Sequence, residues 1–354
     1  MAWILDFTRF PLAVNFAVFA LAAGIVWLAG TRIARYADRI SRQTGLGGVV
    51  LGLLLLGGVT SLPEVAVSIT SAYTGNAALA VNSLLGGVAM QVAILAIADA
   101  AIGRDALTSV IPSPAVLLQA TLNVLMLALV AAGTVIVGVQ VLGVGLWSWA
   151  IVVVYAIAIT LIVRNQGHAA WMPVQRGAHA AASDSRSDEP APTQQPTEKL
   201  GATIAKTVFA ATLILIAGFL LSRTGEAIAE QTGLGSSFVG AVLVAISTSL
   251  PEVSTVLGAV KLRRYEMAVA DIFGTNLFDI VLVFVADLVY TGGPVLGEVG
   301  RFSTLAALLG IAVTTLFLVG LIERRDRTVM RMGVDSLAVL IVYFGGVFML
   351  YRIA

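Results

Sequence analysis

The chain contains no cysteine, which excludes disulfides and thiolate metal sites. Its two histidines, His168 and His179, both lie in one polar stretch. Charged residues make up only 12% of the 354, and the net charge is +1, so nothing suggests a nucleic-acid partner. No Gly-x-x-x-x-Gly-Lys-Ser/Thr loop is present, which argues against nucleotide binding and ATP-driven pumping. Neither Gly-x-Gly-Asp nor His-Glu-x-x-His occurs, which disfavours an intramembrane hydrolase built on paired carboxylates. No cofactor motif stands out. Met1 to Phe10 holds Asp6 and Arg9 but no basic cluster, and arginines follow the first apolar run. That polarity is wrong for a cleaved signal peptide, so the run reads as a retained span.

Hydrophobic residues dominate, at 58%. The composition is that of a membrane protein throughout, with the lipid bilayer as its main partner. At about 20 apolar residues per span, the chain reads as ten transmembrane helices, near 10–30, 46–73, 77–100, 113–136, 139–163, 202–222, 234–260, 265–290, 302–321 and 334–352. Residues 164–200 are polar and proline-rich and read as a linker. The expected domains are therefore 10–163, the 164–200 linker and 201–354. Loops after odd-numbered spans hold sixteen Lys and Arg, and the opposite side holds four. The positive-inside rule then predicts a multi-pass cell-membrane protein with a cytoplasmic linker and both termini outside.

One motif occurs twice, as Thr60-Ser-Leu-Pro-Glu64 and Thr248-Ser-Leu-Pro-Glu252, each time deep in a long apolar run. A carboxylate at a bilayer centre costs about 2.5–3.5 kcal/mol on lenient scales. The proline has no N–H, so the carbonyls of Val59 and Ser247 lose their helical partners. Taken alone, each proline is a kink, and each hydroxyl a group that bonds back to its own helix. Together they offer hydroxyls, freed carbonyls and a carboxylate at one depth. Helices two and seven are thus expected to be broken, which bilayers tolerate only where backbone is buried or lines a cavity.

The halves align at a constant offset of 188. From 44 to 99 against 232 to 287 there are seventeen identities in fifty-six positions without a gap. Five spans separate equivalent positions, so the halves must be inverted with respect to the membrane. Inverted repeats with interrupted helices and a midplane site mark secondary transporters. The expected fold is an all-α polytopic membrane protein with two inverted five-helix repeats. Span eight adds Asp271, Thr275, Asn276 and Asp279, with three of them spaced by four on one helical face. Asp271 has an alternative reading as a solvated residue near a span end. The first-half equivalents are Ser83, Gly87, Val88 and Gln91, and Gln91 alone reads equally as glue between helices. Asp99 and Asp287, near span ends, read as interfacial. Hard oxygen donors without His or Cys suit calcium, magnesium, manganese or alkali cations.

At these residues the chain resembles the cation/calcium antiporter superfamily, the sodium/calcium exchanger-like group. The paired Thr-Ser-Leu-Pro-Glu motifs match one family motif, and Gly274-Thr-Asn-Leu-Phe-Asp279 matches the second. Gly86-Gly-Val-Ala-Met-Gln91 departs from it. The resemblance implies no enzyme, but an antiporter exchanging calcium or a related divalent cation for sodium, with proton coupling as the alternative. It implies Glu64, Glu252 and the carbonyls of Thr60 and Thr248 as calcium ligands. Ser61, Ser249, Thr275 and carbonyls near Gly57 and Ala245 are implied as sodium ligands, with Gln91 and Asp279 as a central amide/acid pair. Gly87 stands where the family pattern has a serine, so one sodium site is expected to lack a hydroxyl.

Overall fold

The computed structural model describes residues 6–44, 60–102, 107–109, 114–136, 139–165, 200–261, 265–323, 328–329 and 332–354. Gly57, the 46–59 part of the second expected span, and 166–199 of the expected linker lie outside the described residues. The helices are α1 Leu12–Thr44, α2 Leu62–Tyr73, α3 Ala77–Ile102, α4 Pro114–Val135, α5 Leu146–Asn165 and α6 Leu200–Thr232. They continue as α7 Gly235–Thr248, α8 Leu250–Lys261, α9 Tyr265–Val289, α10 Arg301–Glu323 and α11 Val334–Ile353. Two short antiparallel hairpins interrupt the helices. One pairs β1 Gln140–Val141 with β2 Val144–Gly145, and the other pairs β3 Thr328–Val329 with β4 Met332–Gly333. The protein is therefore nearly all helical. Among the described residues seven helices are long and apolar enough to cross a membrane, or eight if the bent pair α7–α8 is one span.

The 188-residue offset found in the sequence recurs in the elements. α1 and α6 start at 12 and 200, and α2 and α8 at 62 and 250. α3 and α9 start at 77 and 265, β1 and β3 at 140 and 328, and α5 and α11 at 146 and 334. Three expected spans need their bounds corrected. The fifth span was expected from 139, but Val139–Gly145 is a hairpin approach and the helix begins at Leu146. Leu142 and Gly143 both have positive φ, 55° and 81°, the turn a two-residue hairpin requires. Because the strand residues are as apolar as the helix that follows, hydropathy does not separate them. The first and sixth spans were expected to hold about 21 residues each, but α1 and α6 run for 33. Their charged C-terminal turns continue helically past the apolar stretch.

The proline of each motif falls in the first turn of its helix, where a missing N–H costs no helical hydrogen bond. Each proline thus opens a new helix, and at Pro251 it also breaks the preceding one. Ser61 and Ser249, just ahead of α2 and α8, have nearly the same backbone, φ −79° with ψ 8° and ψ 7°. α7 and α8 meet at 46° across that break. Within α7, residues Gly240–Val244 widen into a π-helical turn that packs against α3. Gly86 permits this contact, since a Cβ there would overlap the backbone of Ala241.

α3 and α9 form the centre. In their apolar windows 89% and 67% of residues are buried, against 28% for α1 and α6, which pack along each other on the outside. α1 also lies against α8, and α6 against α2, so each long helix supports the broken element of the other half. The residues on α3 and α9 are consequently the ones most removed from lipid.

Candidate cation site

Gln91 Nε2 donates to Asp279 Oδ2 at 3.0 Å, and both residues are fully buried. Asn276 Nδ2 reaches the Val88 carbonyl at 3.5 Å. Both contacts join residues 188 apart, so each residue touches its own counterpart in the other half. Such contacts occur only on the local axis relating the two halves. Gln91 and Asp279, expected as a central pair, are thus brought together at the core of the bundle.

Buried oxygens without hydrogen-bond partners belong to these residues and to the two motifs. They are both carboxylate oxygens of Glu64 and of Glu252, the hydroxyls of Ser61 and Ser249, Gln91 Oε1, Asn276 Oδ1 and Asp279 Oδ1. Glu64 is 2% exposed and Glu252 0%. Among the described residues no Lys or Arg forms an ion pair with Glu64, Glu252 or Asp279. Unpaired buried oxygens are costly unless a cation or proton engages them. Also among the described residues, no three acidic or histidine side chains gather closely enough to hold a metal ion by themselves. A bound cation would therefore need hydroxyl, amide or backbone oxygens as well as the glutamates, a donor set hard cations accept.

Thr60 and Thr248 are buried at the motif breaks. The Ala245 carbonyl, implied by the resemblance as a sodium ligand, accepts the Ser249 N–H at 3.0 Å and the Thr248 hydroxyl at 3.3 Å. Proline at 251 removes the donor for Ser247, not for Ala245, so in this conformation Ala245 is satisfied within its own helix. Thr275 is buried, and its hydroxyl donates to the Asp271 carbonyl at 2.8 Å. Asp271 stands apart, half-buried, two turns or about 12 Å along α9 from Asp279. The Thr255 hydroxyl lies 2.8 Å from Asp271 Oδ2 and 3.0 Å from the Glu252 carbonyl, linking Asp271 to the turn that bears Glu252.

Asp99 and Asp287 require correction. Neither is left to water as that reading implies, for each is 1% exposed. Asp99 accepts the N–H groups of Leu107 and Gly333, both at 2.6 Å. Asp287 accepts those of Val295 at 2.7 Å and Gly145 at 2.9 Å, and the Ser148 hydroxyl at 2.5 Å. A carboxylate near a span end looks the same in sequence whether water or a hairpin satisfies it. Thr255 carries no motif signal in the sequence, and Asn276, inside the second motif, has an apolar counterpart in Val88.

The family described as "Sodium/calcium exchanger protein" matches residues 14–171 and 203–352. The chain belongs to the sodium/calcium exchanger protein family. Members of this exchanger family are transporters, not enzymes. The exchanger chain is 26% identical over 344 residues to "Putative antiporter CaxA" of Alkalimonas amylolytica, covering 92% of this chain and 95% of that one. It is 24% identical over 273 residues to the inner membrane protein YrbG of Escherichia coli (strain K12), covering 77% and 78%. Among solved structures, the H+/Ca2+ exchanger CAX superposes with a TM-score of 0.69 at 12% identity, over 99% of this chain and 88% of that one. The sodium-calcium exchanger NCX_Mj does so with a TM-score of 0.58 at 15% identity, over 94% and 96%. At these identities the likeness establishes the exchanger fold alone.

Proposed function

We propose that this exchanger is a secondary-active antiporter that moves calcium, or a related divalent cation, against sodium by alternating access. The observation that carries the reading is the set of buried oxygens of Ser61, Glu64, Ser249 and Glu252 that lack hydrogen-bond partners, together with the Gln91–Asp279 pair. Glu64 and Glu252, with backbone oxygens at Thr60 and Thr248, hold the divalent ion. Ser61, Ser249 and Thr275, with carbonyls near Gly57 and Ala245, serve sodium. The Ala245 carbonyl joins only when the Thr248 hydroxyl turns away. Asp271 acts as an outlying cation-binding carboxylate. Competition supplies the coupling. Glu64 and Glu252 tolerate burial only when cations or protons offset their charge, so the loaded forms are the ones able to switch.

The chain crosses a cell membrane ten times, with the two inverted five-span halves 10–163 and 201–354 joined by the cytoplasmic stretch 164–200 and both termini outside. Support comes from elements repeating at the 188-residue offset, and from the family matching the chain in two segments.

Proton coupling is the second reading, favoured by Gly87. Its position puts no hydroxyl beside the unpartnered Ser249 Oγ, which a Cβ at Gly87 would approach to 3.7 Å. Calcium uptake into proteoliposomes, driven first by a sodium gradient and then by a proton gradient alone, tests both readings. Uptake under neither gradient rejects antiport.

A further inference from the structure

We propose that Asp99 and Asp287 are positioning residues for the cation site, acting as a matched pair of carboxylate staples that set the rotation and depth of α3 and α9. This rests on the antiport reading above. Asp99 follows Gln91 by eight residues on α3, and Asp287 follows Asp279 by eight on α9. Eight residues are slightly more than two turns, so each staple lies close to the face of the site residue it serves. Each carboxylate takes one N–H from the loop just after its own helix, Leu107 for Asp99 and Val295 for Asp287. Each takes a second from the hairpin that precedes the last helix of the opposite half, Gly333 for Asp99 and Gly145 for Asp287. Every partner is displaced by 188 from its counterpart. The two staples therefore cross-link the halves at the C-terminal ends of the central helices. A helix held at that end by two backbone donors cannot turn without leaving a buried carboxylate unpaired, which is costly.

The staples differ in one bond. Ser148 donates to Asp287, whereas its counterpart Ser336 is fully buried and its hydroxyl has no partner. The α9 end is thus held by three donors and the α3 end by two. Asp279, the acidic member of the central pair, is on the more firmly held helix.

The test uses the full chain, whose lack of cysteine leaves introduced thiols as the only ones. Spin labels at Ile97→Cys and Leu288→Cys, both exposed positions, report the distance between α3 and α9. The expected result is one narrow distance in the parent and a broadened or shifted one in Asp287→Asn and Asp99→Asn. In parallel, calcium titration of purified protein should show the half-saturating concentration raised about ten-fold, as loss of an outer-shell partner does at metal sites. Ser148→Ala should give a smaller change of the same kind, and Ser336→Ala none. If Asp287→Asn fails to fold, Ser148→Ala carries the comparison. Unchanged distances, or changed distances with unchanged calcium half-saturation, overturn the positioning role. An effect of Ser336→Ala equal to that of Ser148→Ala overturns the asymmetry. Absence of calcium uptake by the unmodified protein would instead sink antiport, while the label distances still read the staples.

Discussion

A buried carboxylate without a cationic neighbour is stable only while a cation or proton offsets its charge. Glu64 and Glu252 are in that position, with all four oxygens unpartnered. Glu64→Gln and Glu252→Gln should each cut calcium flux by at least about 100-fold, beyond what losing an outer-shell partner costs. The unliganded variants should melt no lower than the parent. They should also lose the stabilisation that calcium gives the parent, about 2.7 kcal/mol at 100 times its Kd. Thermal unfolding with and without calcium checks this, and undiminished flux in either variant removes it from the site. Gly87→Ser makes a second residue-scale test. The Cβ has ordinary contact distance to Ser249 Oγ, so the hydroxyl fits. Sodium dependence should steepen at fixed pH, and an unchanged curve would mean that no hydroxyl is missing there. Much of this centre was legible because a carboxylate in an apolar run is conspicuous and the 188-residue offset paired Gln91 with Asp279. The roles of Asp99 and Asp287 are hidden because their donors, the Ser148 hydroxyl apart, are backbone N–H groups of residues as distant as Gly333 and Gly145, which no side-chain pattern announces.

At the scale of elements, the broken helices and their partners decide what the site can do. Pro63 and Pro251 announced the breaks, and each begins a new helix as its missing N–H requires. The π-turn Gly240–Val244 was not legible, since widening a turn changes the backbone register and not the composition. Nor were the hairpins before α5 and α11, whose strands are too short to show a period of two against an apolar background. The π-turn has a direct test through Gly86, whose α3 backbone meets that of Ala241. Gly86→Ala should cost about 1–3 kcal/mol, because one methyl must displace packed backbone and not a flexible side chain. The neighbouring Gly87→Ala should be nearly neutral. Melting temperatures of the two purified variants make the comparison, and equal values would contradict the tight approach of α7 to α3.

For the whole molecule, the decisive question is which end faces the cytoplasm. Sixteen basic residues fall on one predicted side, among them Arg32, Arg35, Arg39 and Arg164, and four, Arg9, Arg223, Arg301 and Arg352, on the other. α1 carries its arginines along a C-terminal extension past the apolar stretch, so this basic end is helical and not a loop. Arg223, on the extension of α6, pairs with Glu226 one turn on, which leaves less net positive charge at that end. The proposed inversion of the halves adds a check, because an odd number of spans between counterparts would force residues 188 apart to opposite faces. A thiol at Ser185→Cys should be protected from an impermeant reagent added to intact cells, and one at Arg352→Cys should be labelled. Labelling of Ser185→Cys with protection of Arg352→Cys would reverse the topology and keep the inversion. Positions 188 apart, such as Arg35 and Arg223, separate the remaining case. If cysteines at both label from the same side, the number of spans between them is even, and the inverted five-span arrangement fails whatever the orientation.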